Sequence, residues 1–97
     1  MEIAKSEKDG EVTLKLKGCL DTTATTEFAA AIDGTAGAKS LVLDMSGLEF
    51  ISSSALRQLV VTKKRRGESF VIALVGMNEV VRDVFDVTGL DEVFEVR

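Results

Sequence analysis

The chain predicts an α/β domain built on a mixed, mostly parallel β-sheet with helices packed against it. Three observations point there. Two apolar runs, at residues 40–45 and 69–75, are continuous rather than alternating, as strands inside a parallel sheet are. Between and after them lie stretches with 3.6-residue apolar periodicity, so helices connect the strands and favour parallel pairing. The chain also opens on two runs flanking Lys8-Asp9-Gly10, and Asp-Gly between such runs marks a hairpin, which adds one antiparallel strand. The predicted order is ββαβαβαβ.

Each element follows from its residues. Residues 2–7 and 11–17 form the hairpin, the second run alternating strictly from Glu11 to Lys17. Gly18-Cys19-Leu20-Asp21 leads to Thr22-Thr23-Ala24, where a threonine caps a helix whose apolar stripe is Ala24, Phe28, Ala31 and Ile32 and whose C′ residue is Gly34. Ser40 to Met45 reads as a central strand covered on both faces, ending near Asp44, and residues 45–51 read as a loop. The serines 52–54 open an amphipathic helix with Ala55, Leu56, Leu59 and Val60 on one stripe and Lys63-Lys64-Arg65-Arg66-Gly67 at its end. Ser69 to Val75 is a buried strand. Asn78 caps a third helix that presents Val80, Val81, Val84 and Phe85 to the core, with Gly89 beyond it, and residues 92–96 form a short edge strand.

Composition narrows the chemistry. Ninety-seven residues make a single domain, with an expected folded surface of roughly 5,400 Å². With no His, the chain builds no Ser-His or Cys-His pair and no imidazole metal site. No Gly-x-Ser-x-Gly elbow exists either, so a serine hydrolase is rejected. Cys19, the single cysteine, forms no internal disulfide and reads as a small buried hydrophobe. Neither a cofactor nor a metal is expected. The net charge of −4 has the wrong sign for a nucleic-acid binder, and without Trp or Tyr there is little to stack on bases. No apolar run approaches 18 residues and the start carries no secretory pattern, so the expectation is a cytoplasmic protein with no membrane insertion.

The densest information lies between Leu43 and Leu56. The first N–H groups of a helix lack partners and carry the positive end of its dipole, so one serine, Ser52 or Ser53, is accounted for as the N-cap. Three serines exceed what a cap needs. A phosphate placed here adds about −1.5 to −2 charges, which a helix N-terminus tolerates. Desolvated against a partner surface and set among like charges, it costs several kcal/mol, or about 10²- to 10³-fold in affinity.

The segment Leu43-Asp44-Met45-Ser46-Gly47-Leu48-Glu49-Phe50-Ile51-Ser52-Ser53-Ser54-Ala55-Leu56 resembles the signature of STAS domains, in particular the bacterial anti-sigma factor antagonists. Gly18-Cys19-Leu20-Asp21-Thr22-Thr23 and Val84-Phe85-Asp86-Val87-Thr88-Gly89-Leu90 are similar to two further segments of that family, in the same order. The resemblance implies a STAS-type single domain over residues 1–97. It implies a protein that binds an anti-sigma factor serine kinase when unphosphorylated, leaves it when phosphorylated, and is reset by a PP2C-type serine phosphatase, thereby regulating sigma-dependent transcription. It assigns the phosphorylation to Ser53, with Ser52, where many members have Asp, as a second acceptor. Asp21 and Thr22 match the loop beside the acceptor, and Asp44, Ser46, Ser52, Ser54 and Arg57 complete the partner-binding set it implies. Ala55 stands where the family usually has Gly, which stiffens the first turn by about 1 kcal/mol. The alternative within the same fold is a permanent interaction module, a subunit of an ABC lipid-transport complex or a stressosome-type scaffold.

Two smaller features have plain readings. Lys63 to Arg66 sits in a last helical turn, where the dipole favours cations, so it is not taken as a nucleic-acid patch. Asp21 and Asp44 lack a third carboxylate, so they are partner-surface or capping groups and not a Mg²⁺ site.

Overall fold

The computed structural model describes residues 1–97 in full. Strands β1 (Glu2–Lys8) and β2 (Glu11–Leu20) form the predicted hairpin, closed by Asp9 and Gly10 at φ 53° and 85°. Both central residues of this two-residue turn need positive φ, which is why Asp-Gly stands there. Then come α1 (Thr25–Asp33), β3 (Ser40–Ile51), α2 (Ser53–Arg66), β4 (Val71–Val75), α3 (Glu79–Thr88) and β5 (Glu95–Val96). The sheet order is β1-β2-β3-β4-β5, with β1 antiparallel to β2 and every other pair parallel. The surface of 5506 Å² matches the scaling expected of one domain this size.

Because the crossovers all step across the sheet in one direction, right-handed connections put all three helices on the same face. The core shows this. Val12, Leu14, Leu16, Leu41, Leu43, Met45, Ile72 and Leu74 are buried in one cluster with Phe28 and Ile32 of α1, Ala55, Leu56 and Leu59 of α2, and Val81 and Phe85 of α3. The other sheet face carries Thr13, Lys15, Lys17, Asp44 and Val71, while Val42 and Ala73 on it stay outside the cluster. β3 is therefore covered by helices on one face, not both.

The largest departure from expectation is the length of β3. Residues 45–51 are strand, not loop, and pair with β2 up to Leu20↔Ile51. Two register shifts hide the pattern: β3 has an extra residue between Asp44 and Gly47 and another, Glu49, between Leu48 and Phe50. Each bulge reverses the alternation on which strand recognition depends. The extension of β2 also corrects Cys19. Leu20 is fully buried, so its neighbour Cys19 points outward and is exposed.

Helix boundaries show smaller corrections. The residue before α1 is Ala24, so neither Thr22 nor Thr23 caps it; the Asp21 carboxylate instead accepts the Ala24 N–H at 2.9 Å, and the Thr25 hydroxyl donates to the Asp21 carbonyl at 3.1 Å. Gly34 ends α1 with right-handed backbone, φ −67°, because the chain turns on through residues 34–37. Gly89, by contrast, is left-handed at φ 74°, the conformation that favours glycine at a helix end. On α3, Val81 and Phe85 are buried but Val80 is 57% exposed, because at 3.6 residues per turn it lies about 140° round the helix from Phe85, off the stripe that Val81 and Phe85 share. β5 keeps only two residues, since Leu90–Glu92 forms a 3₁₀ turn and Phe94 then packs edge-on to Phe85, ring centroids 6.0 Å apart.

Candidate functional site

The site is assembled where the C-terminal ends of β2 and β3 meet the starts of α1 and α2. The Ser52 N–H donates to the Leu20 carbonyl at 2.8 Å, which brings the serine cap against the end of β2. Ser52 has extended backbone and its hydroxyl accepts the Ala55 N–H at 3.3 Å, so Ser52 is the N-cap. It is 8% exposed. The Ser52 and Ser54 hydroxyls lie 3.1 Å apart, and Ser54 in turn lies 3.0 Å from the Thr25 hydroxyl, which donates to Asp21. A chain of hydroxyls thus ties the start of α2 to the start of α1 and to the Asp21 turn.

Ser53 stands apart from this chain. It is the first residue of α2, exposed, and its hydroxyl makes no hydrogen bond within the protein. The three serines therefore differ in their bonding: Ser52 caps, Ser54 bridges, and the Ser53 hydroxyl is left exposed and unbonded. Arg57, one turn on, is also exposed and makes no ion pair. Thr22 sits exposed in the turn before α1.

Asp44 and Ser46 are not brought to this site. Their side chains point to the sheet face opposite the helices, since Leu43 and Met45 between and beside them are fully buried. The Asp44 carboxylate accepts the Ser46 N–H at 3.0 Å and its hydroxyl at 2.7 Å, and so staples the first β3 bulge. The Ser46 N–H, then its hydroxyl, hold the Asp44 carboxyl below its ordinary value; the Lys15 charge helps and partial burial opposes. A lowered folded value means stability that is complete above the ordinary carboxylate range near pH 4 and lost as pH falls through the lower folded value. Asp44→Asn is thus expected to cost about 1 kcal/mol at pH 7, with the gap to wild type closing below about pH 4. Urea midpoints measured across pH 2–7 check this; a gap that stays constant with pH would contradict it.

Sequence reasoning missed Thr25, which the site's hydroxyl chain includes, and the outward-facing pair Glu49 and Phe50 at the neighbouring β3 bulge. Thr25 lies within the predicted helix and its link to Ser54 is long-range. For Phe50 a signal existed: adjacent Phe50 and Ile51 in a strand cannot both face inward.

The run at the far end of α2 lies in its last turn, as read, and two of its four cations bond to backbone carbonyls of neighbouring segments. Lys63 donates to the carbonyls of Glu68 and Phe70, and Arg66 grips the turn after α1. No helix is long and apolar enough to cross a membrane.

Comparison with known proteins places this geometry. The chain is 28% identical to the anti-sigma-F factor antagonist RsfB of Mycobacterium tuberculosis, over 97% of this chain and 79% of that protein. It superimposes on the crystal structure of an anti-sigma factor antagonist from Mycobacterium paratuberculosis with TM-score 0.88 and 25% identity, covering 98% of this chain and 83% of the other. Bacillus SpoIIAA shares the fold in its unphosphorylated form, with TM-score 0.82 and 20% identity over 99% of this chain and 88% of the other. Its phosphorylated form matches with TM-score 0.76 at 18% identity, over 99% and 91%. Residues 2–97 match the STAS domain as a whole, from the first strand to the last residue, and the chain belongs to that family.

Proposed function

We propose that this chain is an anti-sigma factor antagonist that acts in the cytoplasm as a binding protein and not as an enzyme. Unphosphorylated, it binds an anti-sigma factor that is also a serine kinase and so frees a sigma factor for transcription. Phosphorylation of Ser53 releases it, and a PP2C-type phosphatase returns it to the binding form. The observation that carries this reading is the division of the serines: Ser53 alone is exposed and unbonded, at the positive end of α2, while Ser52 is buried and committed to the cap. The same geometry favours Ser53 over Ser52 as the acceptor, because modifying Ser52 would first break the cap, at a cost of about 1 kcal/mol.

Phosphate at Ser53 falls where the free N–H groups of the first turn point, so the monomer accommodates it. The partner does not, since a dianion trapped in a dry contact must be desolvated. The partner-binding set proposed on this geometry is Asp21, Thr22, Ser52, Ser53, Ser54 and Arg57. Asp44 and Ser46, on the other sheet face, are left out of it. Incubating the protein with a cognate anti-sigma factor kinase and ATP should yield one phosphate, mapped to Ser53 by mass spectrometry and absent in Ser53→Ala. Phosphate on any other residue would overturn the assignment.

A further inference from the structure

Four of the five phenylalanines, Phe28, Phe70, Phe85 and Phe94, are buried to within 6% of full coverage, but Phe50 is 45% exposed. Its exposure is built in. The bulge at Glu49 leaves Leu48 and Ile51 pointing into the core at 1% and 3% exposure and turns Glu49 and Phe50 outward together. Phe50 sits opposite Cys19 on β2 and only two residues before the buried cap Ser52, so it shares the end of the sheet with Ser53.

Two carboxylates, Glu49 and Asp21, stand near Phe50 in the β2–β3 register, and neither is in an ion pair. Glu49 lies against Cys19, Sγ to Oε2 3.8 Å, and Asp21 follows two residues after Cys19. Neither carboxylate has a cation. The two ion pairs in the protein, Arg65–Asp33 and Arg97–Glu95, are made by other residues. An aromatic side chain left in water and framed by charged groups matches the anatomy of a binding hot spot, an apolar anchor with a polar rim.

We infer that Phe50 is the apolar anchor of the surface that Ser53 switches, and that the anti-sigma partner presents an apolar pocket rimmed by basic side chains that engage Asp21 and Glu49. This rests on the function proposed above and adds the partner's chemistry to it. It also explains why a phosphate ejects a basic partner. The partner's cations are already taken by Asp21 and Glu49, so the new dianion enters the contact without a counter-charge.

The probe is the purified anti-sigma factor kinase from the source genome that binds the wild-type chain, with affinity measured by calorimetry at low and high salt. Phe50→Ala is expected to weaken binding about 30-fold or more at both salt concentrations, since burial of a ring is insensitive to screening. Asp21→Asn combined with Glu49→Gln should weaken it about tenfold at low salt and much less at high salt. Val87→Ala, at an 87% exposed apolar site in the last turn of α3, should bind as wild type does. Cys19 gives a route that leaves the sequence intact: alkylating this exposed thiol with a bulky maleimide covers Phe50 and should block binding while the thermal transition is retained. If Ser53→Asp releases the partner but Phe50→Ala and the alkylated protein bind like wild type, the anchor is wrong and the proposed function stands. If no anti-sigma factor kinase binds even the unmodified chain, both fall.

Discussion

Ser53→Asp is expected to fold like the wild type and to bind the anti-sigma partner about 10- to 100-fold more weakly. The two halves of this result have separate physical origins. In the free protein, Ser53 is exposed and its hydroxyl bonds to nothing, so its replacement removes no contact. A carboxylate at the first position of α2 faces the unpaired N–H groups and the positive end of the dipole, which stabilises by about 0.3–1 kcal/mol. The thermal midpoint should therefore stay level or rise. In the complex the same carboxylate is desolvated beside Asp21 and Glu49, and one such charge costs about 1.4–2.8 kcal/mol, or one to two decades. Phosphoserine, with nearly twice the charge, should cost about 10²- to 10³-fold. Ser53→Ala gives the complementary result, full binding with no release on addition of ATP. Calorimetric titration and thermal unfolding of the three forms test both halves. Wild-type affinity in Ser53→Asp would remove the switch.

How much of this was legible beforehand depends on whether local chemistry or long-range pairing decided each feature. The Asp9-Gly10 turn, the Asn78 cap and the left-handed Gly89 rest on residues within one turn of each other, and all three are present as read. The serine cap was legible as a cap, but not which serine serves, because Ser52 becomes the cap only once its N–H is fixed on Leu20 of a distant strand. β3 beyond Asp44 was hidden because its partner, β2, supplies the register and two bulges reverse its alternation. The same bulges concealed Phe50, while Cys19 was misplaced because β2 runs on past Lys17, so the least legible stretch of the chain is also the one that shapes the candidate interface. Asp44 and Ser46 were grouped with the acceptor through the family resemblance. The alternation of a strand then sends them to the opposite face, where they serve the bulge instead.

Arg66→Ala should be the most destabilising change among the charged residues, by about 2–4 kcal/mol. Arg66 ends α2 and reaches the turn after α1, donating to the carbonyls of Thr35, Ala36 and Ala38 at 3.0, 3.1 and 2.9 Å. Its guanidinium also stacks over the Phe70 ring, 3.8 Å from the centroid. A hydrogen bond from a charged donor is worth about 1.5–3 kcal/mol and the stacking about 0.5–1 kcal/mol, but bonds sharing one side chain are far from additive. Half-buried carbonyls left without a donor account for much of the loss. For a domain of this size the thermal midpoint should fall by about 10–20 °C. Arg66→Lys should recover less than half, because a single ammonium cannot reproduce a planar fork that serves three carbonyls at once. Lys64→Ala, by contrast, removes an exposed neighbour with no partner in the structure and should change stability by less than about 0.5 kcal/mol. That contrast distinguishes a structural clamp from a basic patch. A patch that served nucleic acid would depend on Lys64 as much as on Arg66, and its loss would leave the melting curve where it was.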